Sequence, residues 1–152
     1  MKTVKIILIA ALILAVGLSI FACRKTDPAE PGPTEQTGPE ITIVNEAVKA
    51  DFWILPDTEA NRKTSLWGTA SADDLKAGDK IKLKIGEPGD GGTYLVRVID
   101  ADGGFYSADG LTLAEGYTLR LTEEENLMAA RIEVLDENGE LIFSEPAFVG
   151  RL

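Results

Sequence analysis

Acidic side chains are the most abundant groups in this chain that can take part in chemistry. The sequence has 25 Asp and Glu residues against 15 Lys and Arg residues. Asp100 and Asp102, with Asp90 and Asp109 in nearby predicted turns, offer the carboxylate oxygens that calcium prefers. Asp and Gly are also the residues that β-turns use, because Asp bonds its own backbone and Gly accepts a positive φ. We therefore predict turns here, with Asp100 and Asp102 as weak metal candidates and no cofactor.

Catalysis has little support in the residue types. The chain has no histidine, the usual general base and the commonest metal ligand. Two carboxylates at a suitable separation can hydrolyse glycosides, so a carboxylate-based hydrolase is one alternative. With this many acids, some pair reaches such a separation by chance. We predict a protein that is not an enzyme and has no catalytic residues.

Aromatic residues form the second group of candidates. Trp67 follows a polar stretch, residues 57–65, where a core residue is less expected. With Trp53, and with Phe52, Phe105 and Tyr106, it could form a platform on which a sugar or a peptide packs. The alternative is that these rings fill the core and that Trp67 fixes the loop to it. Trp67, Trp53 and Tyr106 are the candidate ligand-binding residues.

Lys80, Lys82 and Lys84 form a basic row in an acidic chain. They alternate with Ile81 and Leu83. Such a row binds an anionic partner or, more commonly, prevents an edge strand from pairing with another chain. We expect the second role, which requires this strand to lie at the edge of a sheet.

The elements that position these residues are strands. Apolar residues recur at every second position, the period of a strand with one buried face. Turn signals separate the runs every 8–12 residues or so, as in a sandwich or a small barrel. The clearest predicted strands are residues 41–44, 52–55, 79–85, 93–100, 117–122, 130–135 and 141–143.

Turn residues between the runs predict how the strands connect. Asp136-Glu-Asn-Gly139 predicts a hairpin, since Asn-Gly between two apolar runs is the strongest short hairpin signal. Asp102-Gly103-Gly104 predicts a second hairpin. Ser71 to Asp74 instead predicts the start of a helical turn that ends at Gly78. We predict an all-β fold, an antiparallel β-sandwich with an immunoglobulin-like broad layout, and a closed barrel is the alternative.

Residues 1–22 have the pattern of a secretory signal peptide. Lys2 and Lys5 precede the uncharged, mostly apolar run Ile6 to Ala22, and a basic start before an apolar run is typical of such a signal. The run is short for a transmembrane helix, which needs roughly 20 apolar residues. An uncleaved anchor helix is therefore the alternative.

Cys23, the single cysteine, follows this run directly. The residues Ile20-Phe21-Ala22 before it resemble the lipobox of bacterial lipoproteins, with an aliphatic residue three places before the cysteine and a small residue just before it. The resemblance implies cleavage before Cys23, a diacylglycerol on its thiol and an acylated amine. Two or more acyl chains hold a protein stably at a membrane, because each buried CH₂ contributes about 0.8 kcal/mol. Arg24, which is not an aspartate, implies the outer rather than the inner membrane if the cell is Gram-negative.

The residues after Cys23 predict a tether. Residues 24–40 hold four prolines and no large apolar side chain, so this segment cannot form a core and is expected to be disordered. In an extended polyproline form it spans about 50 Å, at about 3.1 Å per residue. The predicted organisation is a signal peptide at 1–22, the lipidated cysteine with a flexible linker at 23–40, and a β-sandwich domain at 41–152.

Several short segments between residues 41 and 122 carry a second resemblance. They are 41–45, Trp67-Gly68, Leu75 to Gly78, and Tyr94 to Gly103 with Tyr106. Together they resemble small extracytoplasmic β domains found in many uncharacterised bacterial lipoproteins. This resemblance implies a β fold outside the cytoplasm, and it brings no activity.

Charge and targeting together indicate the class of protein. The formal net charge is −10, and so acidic a chain is not expected to bind nucleic acid. We expect an envelope lipoprotein, anchored to the membrane through a lipid on Cys23, with a non-enzymatic β-sandwich that is structural or binds a protein or a glycan. The alternative is a signal-anchored protein with a carbohydrate- or peptide-binding β domain.

Overall fold

A computed structural model describes residues 36–124 and 129–151. The predictions for the signal peptide, for Cys23 and for the linker up to residue 35 lie outside the described residues. Within those ranges the chain forms ten strands, one short α-helix and one 3-10 turn at Asp90–Gly92. The elements are β1 (Glu40–Glu46), β2 (Ala50–Pro56), α1 (Glu59–Lys63), β3 (Ala72–Leu75), β4 (Lys80–Lys84), β5 (Tyr94–Asp100), β6 (Gly104–Leu111), β7 (Thr118–Glu124), β8 (Ala129–Leu135), β9 (Leu141–Pro146) and β10 (Phe148–Arg151).

The strands form two five-stranded sheets that pack as a β-sandwich, which confirms the predicted fold. The first sheet has the order β4-β1-β7-β8-β9, and the second has the order β10-β6-β5-β2-β3. All neighbouring strands are antiparallel except β1 and β7, which are parallel. The sandwich therefore departs in one pair from the purely antiparallel arrangement that was predicted.

The core lies between the two sheets and follows the period-two pattern. In β1, Ile41 and Ile43 are fully buried, and in β7 Leu119 and Leu121 are 1% exposed. The second sheet contributes side chains such as Phe52, which is also 1% exposed. Burial of this kind is the main favourable term for a fold that has no disulfide to stabilise it.

Both predicted hairpins are confirmed. Residues 136–139 join β8 to β9, and Gly139 has a φ of +81°. Residues 101–103 join β5 to β6. The helical turn predicted from Ser71 is wrong, because Ala72–Leu75 forms β3, which pairs with β2 at the edge of the second sheet.

The strand that carries the lysine row was predicted to lie at the edge of a sheet, and it does. β4 is at the edge of the first sheet, and Lys80, Lys82 and Lys84 are exposed. Ile81 and Leu83 point inward and pack against the core.

Among residues 36–124 and 129–151, no helix is long and apolar enough to cross a membrane.

Candidate functional site

The outer face of the second sheet carries large apolar side chains where a solvated face is normally polar. Strand alternation places Trp53 of β2 opposite Arg97 of β5, and Phe105 of β6 opposite Ile99 of β5. Leu95, also on this face, is fully buried. A side chain on an outer face is buried only if something covers it, and the long connection between β2 and β3 brings Trp67 to this face.

Trp67 joins the two sheet residues into an aromatic cluster, which we define as Trp53, Trp67 and Phe105. The Trp67 ring stacks on Phe105 with a centroid separation of 5.3 Å and an interplanar angle of 15°. It meets Trp53 at 5.6 Å and 61°, an edge-to-face arrangement. Both geometries are favourable for aromatic pairs, which contribute about 0.5–1.5 kcal/mol beyond their buried area. All three side chains are half-buried.

The cluster also fixes the loop from residue 57 to residue 71, which we call the Trp67 loop. The indole Nε1 of Trp53 donates to the carbonyl of Gly68 at 3.1 Å. The indole Nε1 of Trp67 donates to the carbonyl of Thr64 at 2.9 Å. Both indole donors are thus used inside the protein, and ring carbon is what the cluster presents to solvent.

Leu66 of the Trp67 loop is a further apolar side chain that faces solvent. It is 87% exposed, directly beside Trp67 in the sequence. Its backbone N–H donates to the Thr64 hydroxyl at 3.0 Å, so the backbone is held while the side chain projects. The aromatic surface, defined as the aromatic cluster plus Leu66, is therefore an exposed apolar feature on an acidic domain.

The start of the Trp67 loop is held by a buried carboxylate. The side chain of Asp57 has no exposed area, and it accepts hydrogen bonds of 2.5 and 2.8 Å from the guanidinium of Arg62. The Thr93 hydroxyl donates to it at 3.2 Å. α1 brings Arg62 back to Asp57, and its first turn is capped by the Thr58 hydroxyl. The Arg62 guanidinium lowers the pKa of Asp57 below its usual range, against the opposing effect of burial.

We expect Asp57→Asn to lower the Tm of the domain by several degrees at neutral pH. Because the pKa of Asp57 is lowered in the folded state, its stabilisation is complete above the ordinary value of 3.8 and is lost as the pH falls through the folded-state pKa. Thermal melts of both proteins across this range should therefore show a Tm difference that shrinks in acid. Glu59→Gln is the control, since its pair with Lys63 is exposed and contributes little. Equal Tm values for the two variants at neutral pH would contradict the role given to Asp57.

Tyr106, the third candidate ligand-binding residue, lies apart from Trp53 and Trp67. Its side chain points to the inner face of the second sheet and is 6% exposed. The three residues do not form one platform, because successive side chains of β6 face opposite sides of the sheet. Phe105, also predicted for the platform, lies on the outer face and stacks on Trp67, whereas Phe52 is buried in the core. The alternation of β6 was the signal that could have distinguished these two neighbours.

The two metal candidates, Asp100 and Asp102, lie in different environments. The buried carboxylate of Asp100 accepts hydrogen bonds from the backbone N–H groups of Asp102 and Gly104, at 2.9 and 2.7 Å, and from the Tyr106 hydroxyl at 2.8 Å. Asp102 is exposed. Among the described residues, no group of three or more His, Cys, Asp or Glu side chains is placed to hold a metal ion. Asp100 therefore organises the turn between β5 and β6.

A shallow pocket lies next to the aromatic cluster, on the side of β3. Lys49, Asp51, Asp74 and Ile99 contribute to its lining, and its volume is about 80 Å³. This is well below the roughly 300–1,000 Å³ of pockets that enclose small molecules. Lys49 pairs with Asp74 at 2.6 Å, and the Asp74 N–H donates to the Asp51 carboxylate at 2.7 Å. The polar groups of the pocket thus bind one another.

Comparison of the chain with protein-family models, with curated proteins and with solved structures finds no match.

Proposed function

We propose that this chain is a bacterial envelope lipoprotein, anchored through a lipid on Cys23, whose β-sandwich is a non-enzymatic binding domain. The observation that carries the binding role is the aromatic surface, where Leu66 is 87% exposed beside three clustered rings. Tryptophan is enriched among the residues that dominate binding energy in protein interfaces. Burying Leu66 and the exposed ring carbon against a partner would remove apolar area from water.

A protein partner fits the aromatic surface better than a glycan does. Sugar recognition combines ring stacking with hydrogen bonds to hydroxyl groups, but the indole N–H groups of Trp53 and Trp67 donate to carbonyls of the Trp67 loop. Leu66 adds aliphatic area and no polar atom. A surface of this composition resembles the apolar centre of a protein interface.

Two buried acidic side chains, Asp57 and Asp100, support the proposal that the domain is not an enzyme. A catalytic carboxylate needs an open site and a pKa near the working pH. Asp57 is instead held ionised by Arg62, and its side chain has no exposed area. Asp100 is occupied by two backbone N–H groups and a hydroxyl. Both residues hold loops in place.

Lipidation of Cys23 predicts a specific mass. Protein extracted from membranes should have the mass of residues 23–152 plus two or three acyl chains, and the Cys23→Ser variant should lack this addition. Mass spectrometry of the two intact proteins measures the difference. An unmodified full-length mass in both would instead mean that Ile6 to Ala22 is retained as an anchor helix, and the lipoprotein proposal would be wrong.

If a partner binds through the aromatic surface, a substitution in that surface should reduce crosslinking of the partner to this protein. We expect Leu66→Ser to lose at least half of the crosslinked partner recovered from envelopes of the native host, because Leu66 is the most exposed large apolar side chain among the described residues. Leu141→Ser is the matched control, since Leu141 is also an aliphatic residue, 51% exposed, on a strand of the other sheet. The measurement compares crosslinked species for the wild type and both variants.

The Tm of each variant shows whether a loss of crosslinking comes from lost binding or from a folding defect. An 87% exposed side chain contributes little to the core, so Leu66→Ser should leave the Tm unchanged. Equal crosslinking by all three proteins would exclude the aromatic surface as the binding site, without affecting the test of Cys23.

A further inference from the structure

The free edge of β4 has an unusual combination of backbone and side-chain groups. In the part of the chain that the structure describes, β4 pairs with β1 on one side only and is the last strand of the first sheet. The N–H of Asn45 donates to the Asp79 carbonyl at 3.0 Å, and the N–H of Ile85 donates to the Pro39 carbonyl at 3.0 Å. In an antiparallel pair, every second residue directs its backbone groups toward the partner strand. Ile81 and Leu83 therefore face β1, and the alternate residues face solvent.

Those alternate residues are Lys80, Lys82 and Lys84. Their backbone N–H and C=O groups lie along the free edge, and their side chains stand on the outer face at intervals of about 6.6 Å. Each of the three side chains is exposed. Within the described ranges, none of them forms an ion pair. The same three residues thus offer free backbone groups and unpaired positive charge.

We propose that the free edge of β4 is a docking site for an extended acidic segment of another protein, which adds to the first sheet as a further strand. A strand that pairs with β4 places its own side chains directly opposite the lysines, with Cβ atoms about 4.5–5.5 Å apart. Glu or Asp at every second position then forms a row of cross-strand charge pairs. Main-chain bonds supply affinity, and the alternate side chains supply specificity.

Within residues 36–124 and 129–151, no edge strand of a second copy of this chain fits the site. Two β4 strands would place lysine opposite lysine, and directly opposed like charges are destabilising. At the other edge of the sheet, the Ala147 N–H donates to the Ala130 carbonyl, so the alternate residues Ser144 and Pro146 of β9 face outward. Neither has a carboxylate, and proline has no N–H to donate.

β3, an acidic edge strand of the second sheet, does not fit either. Asp73 and Asp74 are consecutive, so they cannot both stand on one face of an incoming strand. Asp74 has a φ of +56°, which interrupts the extended backbone. Its carboxylate already pairs with Lys49. The charge pattern of β4 therefore favours a different protein with alternating acids.

The test measures binding of labelled peptides to the full chain purified from membranes in detergent. One peptide repeats Val-Glu, which places a carboxylate at every second position. A second has the same composition in Val-Val-Glu-Glu blocks. Fluorescence anisotropy at low and at physiological ionic strength should show saturable binding of the alternating peptide, at least tenfold tighter than that of the block peptide.

Variants of β4 show whether the lysine charges and the free backbone groups each contribute to the affinity for the peptide. Lys82→Gln with Lys84→Gln should weaken binding at least tenfold, whereas Lys63→Gln with Lys76→Gln, the charge-matched control, should not. Lys82→Pro removes a backbone donor at the free edge, where proline is tolerated, and should weaken binding more than Lys82→Gln does. Circular dichroism would check that each variant is folded.

Two results would overturn the proposal. Equal binding of both peptides, with no difference between Lys82→Pro and Lys82→Gln, would mean charge attraction without strand addition. No binding by the wild type, together with self-association of the Lys82→Gln, Lys84→Gln variant, would mean that the lysines only prevent edge pairing.

Discussion

Asn45→Ala is expected to lower the free energy of unfolding by about 3 kcal/mol, one of the two largest effects of any single substitution considered. Asn45 is fully buried at the end of β1. Its Nδ2 donates to the carbonyls of Val48 and Leu75, each at 2.8 Å, and its Oδ1 accepts from the N–H of Ala47 at 3.0 Å. Alanine would leave three groups without partners, and each buried unsatisfied polar group costs about 1–3 kcal/mol.

The position of Asn45 makes this loss larger than that of an isolated hydrogen bond. β1 belongs to the first sheet and Leu75 ends β3 of the second, so the side chain links the two sheets. Urea denaturation followed by tryptophan fluorescence measures the change. Asn138→Ala in the exposed β8–β9 hairpin is the control and should cost less than about 0.5 kcal/mol. Similar losses for both variants would mean that Asn45 does not link the sheets.

The fold was predictable because its strands alternate cleanly. Each of the seven strand segments predicted from the period-two pattern overlaps a strand of the structure. β3 was missed for a local reason. Its buried residues, Ala72 and Leu75, are three apart, the spacing of a helix face. The positive φ of Asp74 turns Leu75 back toward the core and breaks the alternation.

α1 was missed because a five-residue helix has no apolar period to detect. None of its residues is buried. Its end signals are present in the sequence, with Thr58 as the cap, Glu59 in the first turn and Lys63 in the last. Such signals are common in loops, and only the fold brings Arg62 to Asp57. The polar stretch before Trp67 thus contains a helix that its sequence pattern did not predict.

The candidate site was predictable only in part, because loop residues do not specify the sheet that they contact. Trp67 was predicted either to bind a ligand or to fix its loop. Its contacts with Trp53 and Phe105 fix the loop, and the binding role stays a prediction. The exposure of Leu66 was not predicted. No periodic pattern covers this stretch, so burial there depends on contacts between distant residues.

Asp100→Ala should also cost about 3 kcal/mol, because the carboxylate is the acceptor that closes the β5–β6 turn. Its two oxygens accept from the N–H groups of Asp102 and Gly104 and from the Tyr106 hydroxyl, and the residue is 8% exposed. The approach is so close that a Cβ on Gly104 would lie 2.3 Å from Oδ2 of Asp100. Alanine would leave two backbone donors and a hydroxyl without this acceptor.

Two further variants show whether the hydrogen bonds of Asp100 are responsible. Asp102→Ala, in the same turn but exposed, should change the free energy of unfolding by less than about 0.5 kcal/mol. Tyr106→Phe should fall between the two, since it removes one of the three donors. Urea denaturation of the three variants gives this order directly. If Asp100→Ala and Asp102→Ala unfolded at the same urea concentration, the turn would not depend on the buried carboxylate, and Asp100 would again be open to another role.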